Sequence, residues 1–345
     1  MTGTPGNDMP YVRLGKSGLK VSKIILGCGF YGSSEWQEWV LGEEAGLEHI
    51  KYAYDHGINA FDTANVYSDG RSEEILGKAI KQFNFNRDAI VVMTKLFGEV
   101  RRNGGLLKRR TTEEVDQEGY VNQHGLSRKH IFEAVEHSLR RLQLDYIDVL
   151  QCHRFDPDTP IEETMQALHD VVKSGKVRYL GMSSCHAWQF HVMQNYAIAN
   201  KLTPFISMQN HYNLVYREEE REMIPTLDHF GVACIPWSPL ARGVVTHPLS
   251  HTTTRTSTDA GQKTYEGGAT NAIVTRVEEV AKKLDLSMAQ VGLGWIMAKS
   301  TAPIVGSTSL KNLEELIHSV NVKLSDEDIN YLEEPYVPRG GFGSR

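Results

Sequence analysis

Short apolar runs alternate along the chain with longer stretches in which apolar residues recur every three or four positions. The runs cover residues 24–26, 60–61, 90–93, 147–152, 179–182, 206–208, 232–235 and 304–305. Runs of this kind fit strands buried on both faces, as a parallel sheet covered by helices requires. The stretches between them carry helix signals. Thr159-Pro160-Ile161-Glu162 reads as a capping box with proline at the first helical position; Ile161, Met165, Leu168 and Val172 then share a face, and Gly175 closes the segment. Ser127 opens another helix with Ile131, Val135, Leu139 and Leu142 on one side, and Ser287 with Gln290 caps the segment leading to Trp295. Further helices are expected over residues 43–56, 72–81, 187–200, 217–230 and 310–319.

Eight strand-then-helix units predict an α/β fold of the (β/α)8 TIM-barrel type in preference to an open doubly wound sheet, because closure at eight strands leaves no exposed edge. Residues 11–21, turning at Lys16-Ser17-Gly18, read as an N-terminal β-hairpin over the N-terminal end of the barrel. Two long polar connections, 97–125 and 242–271, follow the third and seventh strands and so fall at the C-terminal face, where barrel chemistry is placed. Residues 1–345 read as a single domain, with a core over about 11–322 and a C-terminal extension over 323–345.

Composition narrows the function classes. Of 345 residues, 40% are hydrophobic and 23% charged, and the net charge is -6, a profile that fits a globular chain with a sizeable core and gives no footing for nucleic acid as a partner. The absence of an 18-residue apolar run and the polar segment 1–10 predict neither a membrane span nor a secretory signal, so a cytoplasmic location is expected. Cys28, Cys152, Cys185 and Cys234 stand singly, which predicts reduced thiols and no metal site. A homo-oligomer is compatible with all of this.

Gly27-Cys28-Gly29-Phe30-Tyr31-Gly32 matches the spacing of a dinucleotide-binding glycine loop. That motif needs a helix opening at its second glycine, and residues 33–41 are turn-like, so these glycines are read as a strand-end loop letting Phe30 and Tyr31 line a pocket.

Four ionisable residues sit near successive strand ends: Asp62 after the second, Tyr67 beyond it, Lys95 after the third and His153 after the fourth. Each alone has a plain structural reading, as a turn cap, a packing ring or a solvated strand end. A barrel converges all four on one mouth, and that convergence points to chemistry. They stand within Asn59-Ala60-Phe61-Asp62-Thr63-Ala64, Gly70-Arg71-Ser72-Glu73-Glu74-Ile75-Leu76-Gly77, Thr94-Lys95 and Leu150-Gln151-Cys152-His153-Arg154. Together with Gly181-Met182-Ser183-Ser184, Gln209-Asn210, Trp237-Ser238-Pro239-Leu240-Ala241-Arg242-Gly243 and Pro303-Ile304-Val305-Gly306, these runs resemble the aldo-keto reductase superfamily over roughly residues 14–322. Asn210-His211-Tyr212-Asn213-Leu214 and His153-Arg154-Phe155-Asp156-Pro157 resemble its fungal and microbial branch of aryl-alcohol dehydrogenases and versiconal hemiacetal acetate reductases.

The resemblance implies an oxidoreductase that reduces an aldehyde or ketone to an alcohol with a nicotinamide cofactor, NADP(H) favoured and NAD(H) possible. Tyr67 would give the proton, Lys95 would stabilise the phenolate, Asp62 would keep Lys95 charged, and His153 would orient the carbonyl. By the same resemblance Ser183, Ser184 and Gln209 would hold the carboxamide, Ser184 standing where the family usually has asparagine, and Tyr212 would stack on the ring. Trp237, Ser238, Pro239, Leu240, Arg242 and Gly243 would cradle the pyrophosphate. Gly306, Ser307, Thr308, Lys311, Asn312 and Glu315 would meet the adenosine end, with Asn312 and Leu316 departing from the arginine and asparagine frequent there. The aromatic residues Phe30, Tyr31, Trp36, Phe97 and Trp188 are the substrate-pocket candidates and favour an aromatic or polyketide-type carbonyl compound. Two other readings share the fold: a redox-sensing subunit resembling the beta subunits of potassium channels, and a lyase using Lys95 as a Schiff base.

Overall fold

The computed structural model describes residues 9–106, 110–251 and 259–341. Parts of both long connections (107–109 and 252–258), most of the N-terminal segment (1–8) and the end of the extension (342–345) lie outside the described residues.

All eight apolar runs are strands of one parallel sheet, in chain order β3 (Ile25–Gly27), β4 (Ala60–Asp62), β5 (Val91–Leu96), β6 (Ile147–Cys152), β7 (Val177–Ser183), β8 (Phe205–Gln209), β9 (Ala233–Cys234) and β10 (Ile304–Val305). Each strand pairs with the next, and β10 returns to β3. The remaining seam, between β9 and β10, is bridged by Thr301 N–H on the Cys234 carbonyl and Ile304 N–H on the Pro236 carbonyl, each at 2.9 Å. This is the (β/α)8 barrel, with eleven α-helices among the described residues.

Side chains alternate across these strands. One set (Ile25, Ala60, Val91, Met93, Val149, Ala233) gathers with Leu14 and Val21 into an inner cluster, while Leu26, Phe61, Val92 and Leu150 join the larger layer under the helices. Leu14 and Val21 come from the antiparallel hairpin β1 (Tyr11–Arg13) and β2 (Lys20–Ser22), which closes the N-terminal end of the barrel as the sequence predicts.

Helices α1 (Glu43–Asp55), α2 (Arg71–Gln82), α3 (Thr112–Gln117), α4 (Arg128–Leu142), α5 (Ile161–Lys173) and α6 (Ala187–Ala199) are followed by α7 (Met223–Phe230), α8 (Thr270–Leu284), α9 (Met288–Lys299), α10 (Leu310–His318) and α11 (Asp326–Glu333). In α4 the Ser127 hydroxyl accepts the His130 N–H, and Ile131, Val135, Leu139 and Leu142 are all buried. Burying each of those side chains stabilises the fold by about 1.5–3 kcal/mol.

Two helix starts differ from the sequence reading. Thr159 does not cap α5: its hydroxyl donates to Asp156, which also accepts the Leu126 and Asp158 N–H groups, and the helix begins after Pro160. The helix expected from residue 217 begins at Met223. Pro225 then falls in the first turn, where its missing N–H costs nothing, whereas a helix from 217 would need that N–H. A short turn, Glu218–Glu220, precedes it, with Arg217 bridging Glu220 and Glu333. Three helices went unread: α3, inside the first long connection and opened by a Thr111/Glu114 capping box, α8, at the end of the second long connection, and α11, in the extension and capped by Ser325.

Candidate functional site

Inward-facing positions step two residues at a time up each strand, and at the C-terminal end of three of them the apolar step gives way to a polar one: Ala60 to Asp62, Met93 to Lys95, Val149 to Gln151; on β8 both steps, Ser207 and Gln209, are polar. Strand register aligns Lys95 with Gln151, Gln151 with Gly181, and Ser183 with Gln209. Beyond the named strands the ladder continues, with Asn65 N–H on the Lys95 carbonyl (3.1 Å) and His153 N–H on the Leu96 carbonyl (2.9 Å). The segments bearing Tyr67 and His153 are thereby laid against β5.

Lys95 is fully buried, and its ammonium meets three oxygens: Asp62 Oδ2 at 2.5 Å, the Thr63 carbonyl at 2.8 Å and the Tyr67 hydroxyl at 3.3 Å. Burial alone would pull this ammonium down in pKa. The Asp62 charge, with Tyr67 adding to it, outweighs burial and holds Lys95 above the ordinary lysine value. The other Asp62 oxygen accepts from Gln151 Nε2 at 2.8 Å and from Gln209 Nε2 at 3.0 Å. His153 meets the Tyr67 ring edge to face, centroids 5.8 Å apart. Its imidazole is pushed well below the ordinary value by burial first and then by the charges of Arg154 and Lys95, which keeps it neutral at physiological pH.

Tyr67 is carried by an unusual turn. Ser68, Asp69 and Gly70 follow it with φ of 48°, 53° and 95°, and left-handed backbone at a non-glycine residue costs about 1–2 kcal/mol. Neighbours hold it there: the Ser33 N–H donates to Ser68 Oγ at 3.1 Å, and Arg101 grips both Asp69 carboxylate oxygens at 2.8 and 2.7 Å. The glycines of the 27–32 segment make the room. A Cβ on Gly29 would stand 3.2 Å from the Tyr67 ring, and one on Gly32 would fall 2.1 Å from Ser68 Oγ. The loop thus packs under Tyr67, a reason for glycine unrelated to phosphate.

Of the pocket candidates, Trp36 lies beside Tyr67, ring centroids 6.1 Å apart, and Phe30 meets Trp39, which the sequence reading passed over, at 5.4 Å. Phe97 follows β5 directly and is half-buried. Two candidates fall elsewhere. Tyr31 has no exposed surface and packs on Gly46 and His49 of α1, because the missing Gly46 side chain opens a slot behind the strand. Trp188 is 60% exposed at the start of α6, edge-on to Phe155, and stands on the rim.

Ser183 donates to the Gln209 carbonyl at 2.8 Å and lies 3.2 Å from the Ser184 hydroxyl, which accepts the Trp237 indole N–H at 3.1 Å. The other face of the site is built by a stack of Trp237 on His211 (4.3 Å) and His211 on Tyr216 (4.3 Å). Tyr212 departs from its expected place against a ligand ring. It is wholly buried, edge-on to Trp295, with its hydroxyl on Glu220, because that hydroxyl finds its partner inside the fold. Ser238, Ala241, Arg242 and Gly243 all have positive φ, and Pro239 and Leu240 complete that loop. Arg242 does not project as an uncovered charge: its Nη1 lies 3.0 and 2.9 Å from the two carboxylate oxygens of Asp259, drawing the turn Ala260–Tyr265 onto the loop. At the start of α10, Thr308, Lys311 and Asn312 are exposed, Ser307 accepts the Ser309 N–H at 3.0 Å, and Glu315 is half-buried. Gly306 faces Phe30, whose ring a Cβ there would meet at 2.4 Å.

Comparison with known proteins agrees with this geometry. The sequence model of the aldo/keto reductase family matches residues 23–336. The chain is 52% identical to the versiconal hemiacetal acetate reductase of Aspergillus parasiticus, over 96% of this chain and 98% of that one. It is 51% identical to a Schizosaccharomyces pombe protein provisionally named an aryl-alcohol dehydrogenase, over 95% and 96% respectively, and 47% identical to an aldo-keto reductase of Fusarium vanettenii, over 95% and 91%. With a match across nearly its full length laid over an eight-stranded barrel whose mouth holds Asp62, Tyr67, Lys95 and His153, the chain belongs to the aldo/keto reductase family.

Proposed function

We propose that this oxidoreductase reduces aromatic or polyketide-type aldehydes and ketones, using NADPH in preference to NADH, with Tyr67 delivering the proton to the carbonyl oxygen. The observation that carries the reading is the Tyr67 hydroxyl 3.3 Å from a fully buried ammonium that Asp62 keeps charged. A phenol is a weak acid, and a fixed cation beside it stabilises the phenolate left when the proton departs. Neutral His153 donates a hydrogen bond to the same carbonyl oxygen and orients it. Lys95, held protonated, is the wrong species for a Schiff base, which needs a free amine.

The nicotinamide, when bound, supplies the hydride. Hydrogen-bond accounting supports its carboxamide as the group met by Gln209. Both Gln209 amide hydrogens are committed, to Asp62 and to Gln151 Oε1, so Gln209 offers an acceptor to an incoming NH2. Ser183 has spent its hydrogen on the Gln209 backbone carbonyl, so Ser184, which accepts from Trp237, is the donor in the 3.2 Å contact between the two hydroxyls. Trp237, fixed in its stack, takes the ring-facing role expected of Tyr212. Left-handed backbone at Ser238 and from Ala241 to Gly243 curls the loop into a cradle for a pyrophosphate, and Arg242 serves by tying the neighbouring turn down through Asp259. Lys311 and Thr308 at the start of α10 supply the lean toward the 2'-phosphate.

The relatives' names include a reductase of a hemiacetal acetate and an aryl-alcohol dehydrogenase, and the ring pairs Trp36–Tyr67 and Phe30–Trp39 suit an aromatic guest. A steady-state screen tests the reading. Expected are turnover of 4-nitrobenzaldehyde, kcat/KM higher for aromatic than for short aliphatic aldehydes, and a lower KM for NADPH than for NADH. A strong NADH preference refutes the cofactor assignment, and tight cofactor retention without turnover favours a redox-sensing subunit.

The grip of Arg101 on Asp69 has its own consequence. In Arg101→Ala the Tyr67 turn loses two charge-assisted bonds, and kcat is expected to fall about tenfold, the equivalent of ~1.4 kcal/mol, with the Kd for NADPH nearly unchanged. Unaltered kcat in that variant means the turn holds itself without Arg101.

A further inference from the structure

Gln151 has no exposed surface, and it completes a closed ring of hydrogen bonds beneath the mouth. Its Nε2 donates to Asp62 Oδ1 at 2.8 Å, its Oε1 accepts from Gln209 Nε2 at 2.8 Å, and Gln209 Nε2 donates to the same Asp62 oxygen at 3.0 Å. The amide orientations are dictated chemically: a carboxylate only accepts, so both NH2 groups must face Asp62, and the remaining Gln209 hydrogen must go to the Gln151 carbonyl. To make this ring, Gln151 on β6 reaches past β7 to Gln209 on β8. Gly181, its register partner on β7, clears the path, since a Cβ there would stand 3.0 Å from Gln151 Cγ and 2.7 Å from Ser207 Oγ.

We infer that Gln151 is a positioning residue that locks the Gln209 amide to the Asp62–Lys95 pair, so that the group facing the carboxamide and the charge beneath Tyr67 belong to one hydrogen-bonded unit. Without Gln151, half of the constraint on the Gln209 amide is gone, and Gln209 is free to turn its NH2 toward a ligand group that is itself a donor. The ligand assignment rests on the nicotinamide reading above; the ring itself does not.

Two variants separate this role from simple packing. Gln151→Met keeps the length of the side chain and removes both polar atoms. Gln151→Glu restores the original pattern only while the introduced carboxyl is protonated, when it donates to Asp62 and accepts from Gln209. Once ionised it sets a second carboxylate against Asp62. Such a buried carboxyl has its folded pKa raised above the unfolded value of about 4.3, so stability relative to wild type is lost as the pH climbs above that unfolded value. The gap in Tm between the cofactor-free proteins is therefore expected to widen from about pH 5 to pH 8 for Gln151→Glu and to stay constant for Gln151→Met. In fluorescence titrations with NADPH, Gln151→Met is expected to raise Kd about tenfold at all pH values, the effect of losing one hydrogen-bonded lock. Gln151→Glu should match it at pH 8 and recover toward wild type at pH 5.5. Parallel melting profiles for Gln151→Glu, or NADPH affinity unmoved in Gln151→Met, would overturn the inference. Failure of the wild-type protein to bind NADPH would instead sink the nicotinamide reading, leaving the cofactor-free melting profiles to decide the role of Gln151.

Discussion

Tyr67→Phe is expected to lower kcat for carbonyl reduction by at least roughly 10^2- to 10^4-fold, the range a positioned general acid supplies, while the Kd for NADPH stays within about twofold. The substitution removes one oxygen and little else. The ring keeps its seat on Gly29 and its contacts with Trp36 and His153, and Lys95 retains Asp62 and the Thr63 carbonyl. None of the groups proposed to hold the cofactor hydrogen-bonds to the phenol, which is why binding and chemistry should part company. Stopped-flow measurement of NADPH oxidation beside equilibrium fluorescence titration reads the two quantities separately. A variant that turns over at the wild-type rate takes the proton-donor role away from Tyr67.

Asp62→Ala should produce the second large effect, this time in stability as well as in rate. It leaves a fully buried ammonium facing the Thr63 carbonyl and the Tyr67 hydroxyl with no anion. Breaking a buried pair from one side costs about 3–5 kcal/mol. The pH dependence should change sign with it. In the wild type, Asp62 holds Lys95 above its unfolded value, so the pair's contribution is fully present at neutral pH and is lost only as pH rises through the folded value. In Asp62→Ala the main opposition to burial is gone, only Tyr67 is left against it, and Lys95 drops below its unfolded value. Folding must then strip a proton, and the variant gains stability relative to wild type as the pH is raised from 7 toward 10. Adding Lys95→Met to Asp62→Ala should recover much of the stability and none of the turnover. Thermal melts across that range, with kcat alongside, check both halves; a single variant as stable as wild type at pH 7 refutes the account.

Much of this arrangement can be read before folding. The strands are legible because parallel strands buried on both faces are written as uninterrupted apolar runs. Asp62, Lys95 and His153 stand out because an ionisable group at the end of such a run has no packing purpose. Gln151 was missed although it obeys the same rule, two residues above Val149 as Lys95 is above Met93, since an uncharged amide inside an apolar run draws no notice. Tyr31 and Tyr212 were misplaced for another reason. Which way a ring turns at a strand end depends on what the following helices leave room for, at Gly46 for one and at Glu220 and Trp295 for the other, and no local pattern encodes that. The start of α7 was legible in principle, through Pro225. Arg242 read as a phosphate cation because its carboxylate partner lies seventeen positions away, across a connection without periodicity.

The barrel's seam has a mechanical meaning. β6 and β7 share a long ladder, whereas β9 and β10 have two residues each and meet across a pair of backbone bonds. The cylinder therefore has a stiff wall and a hinge line, and local opening is cheapest along the hinge line. The 238–243 loop leaves the barrel on one bank of that line and residues 306–312 on the other, so a single long guest lying across both would act as a clasp on the weakest part of the hoop.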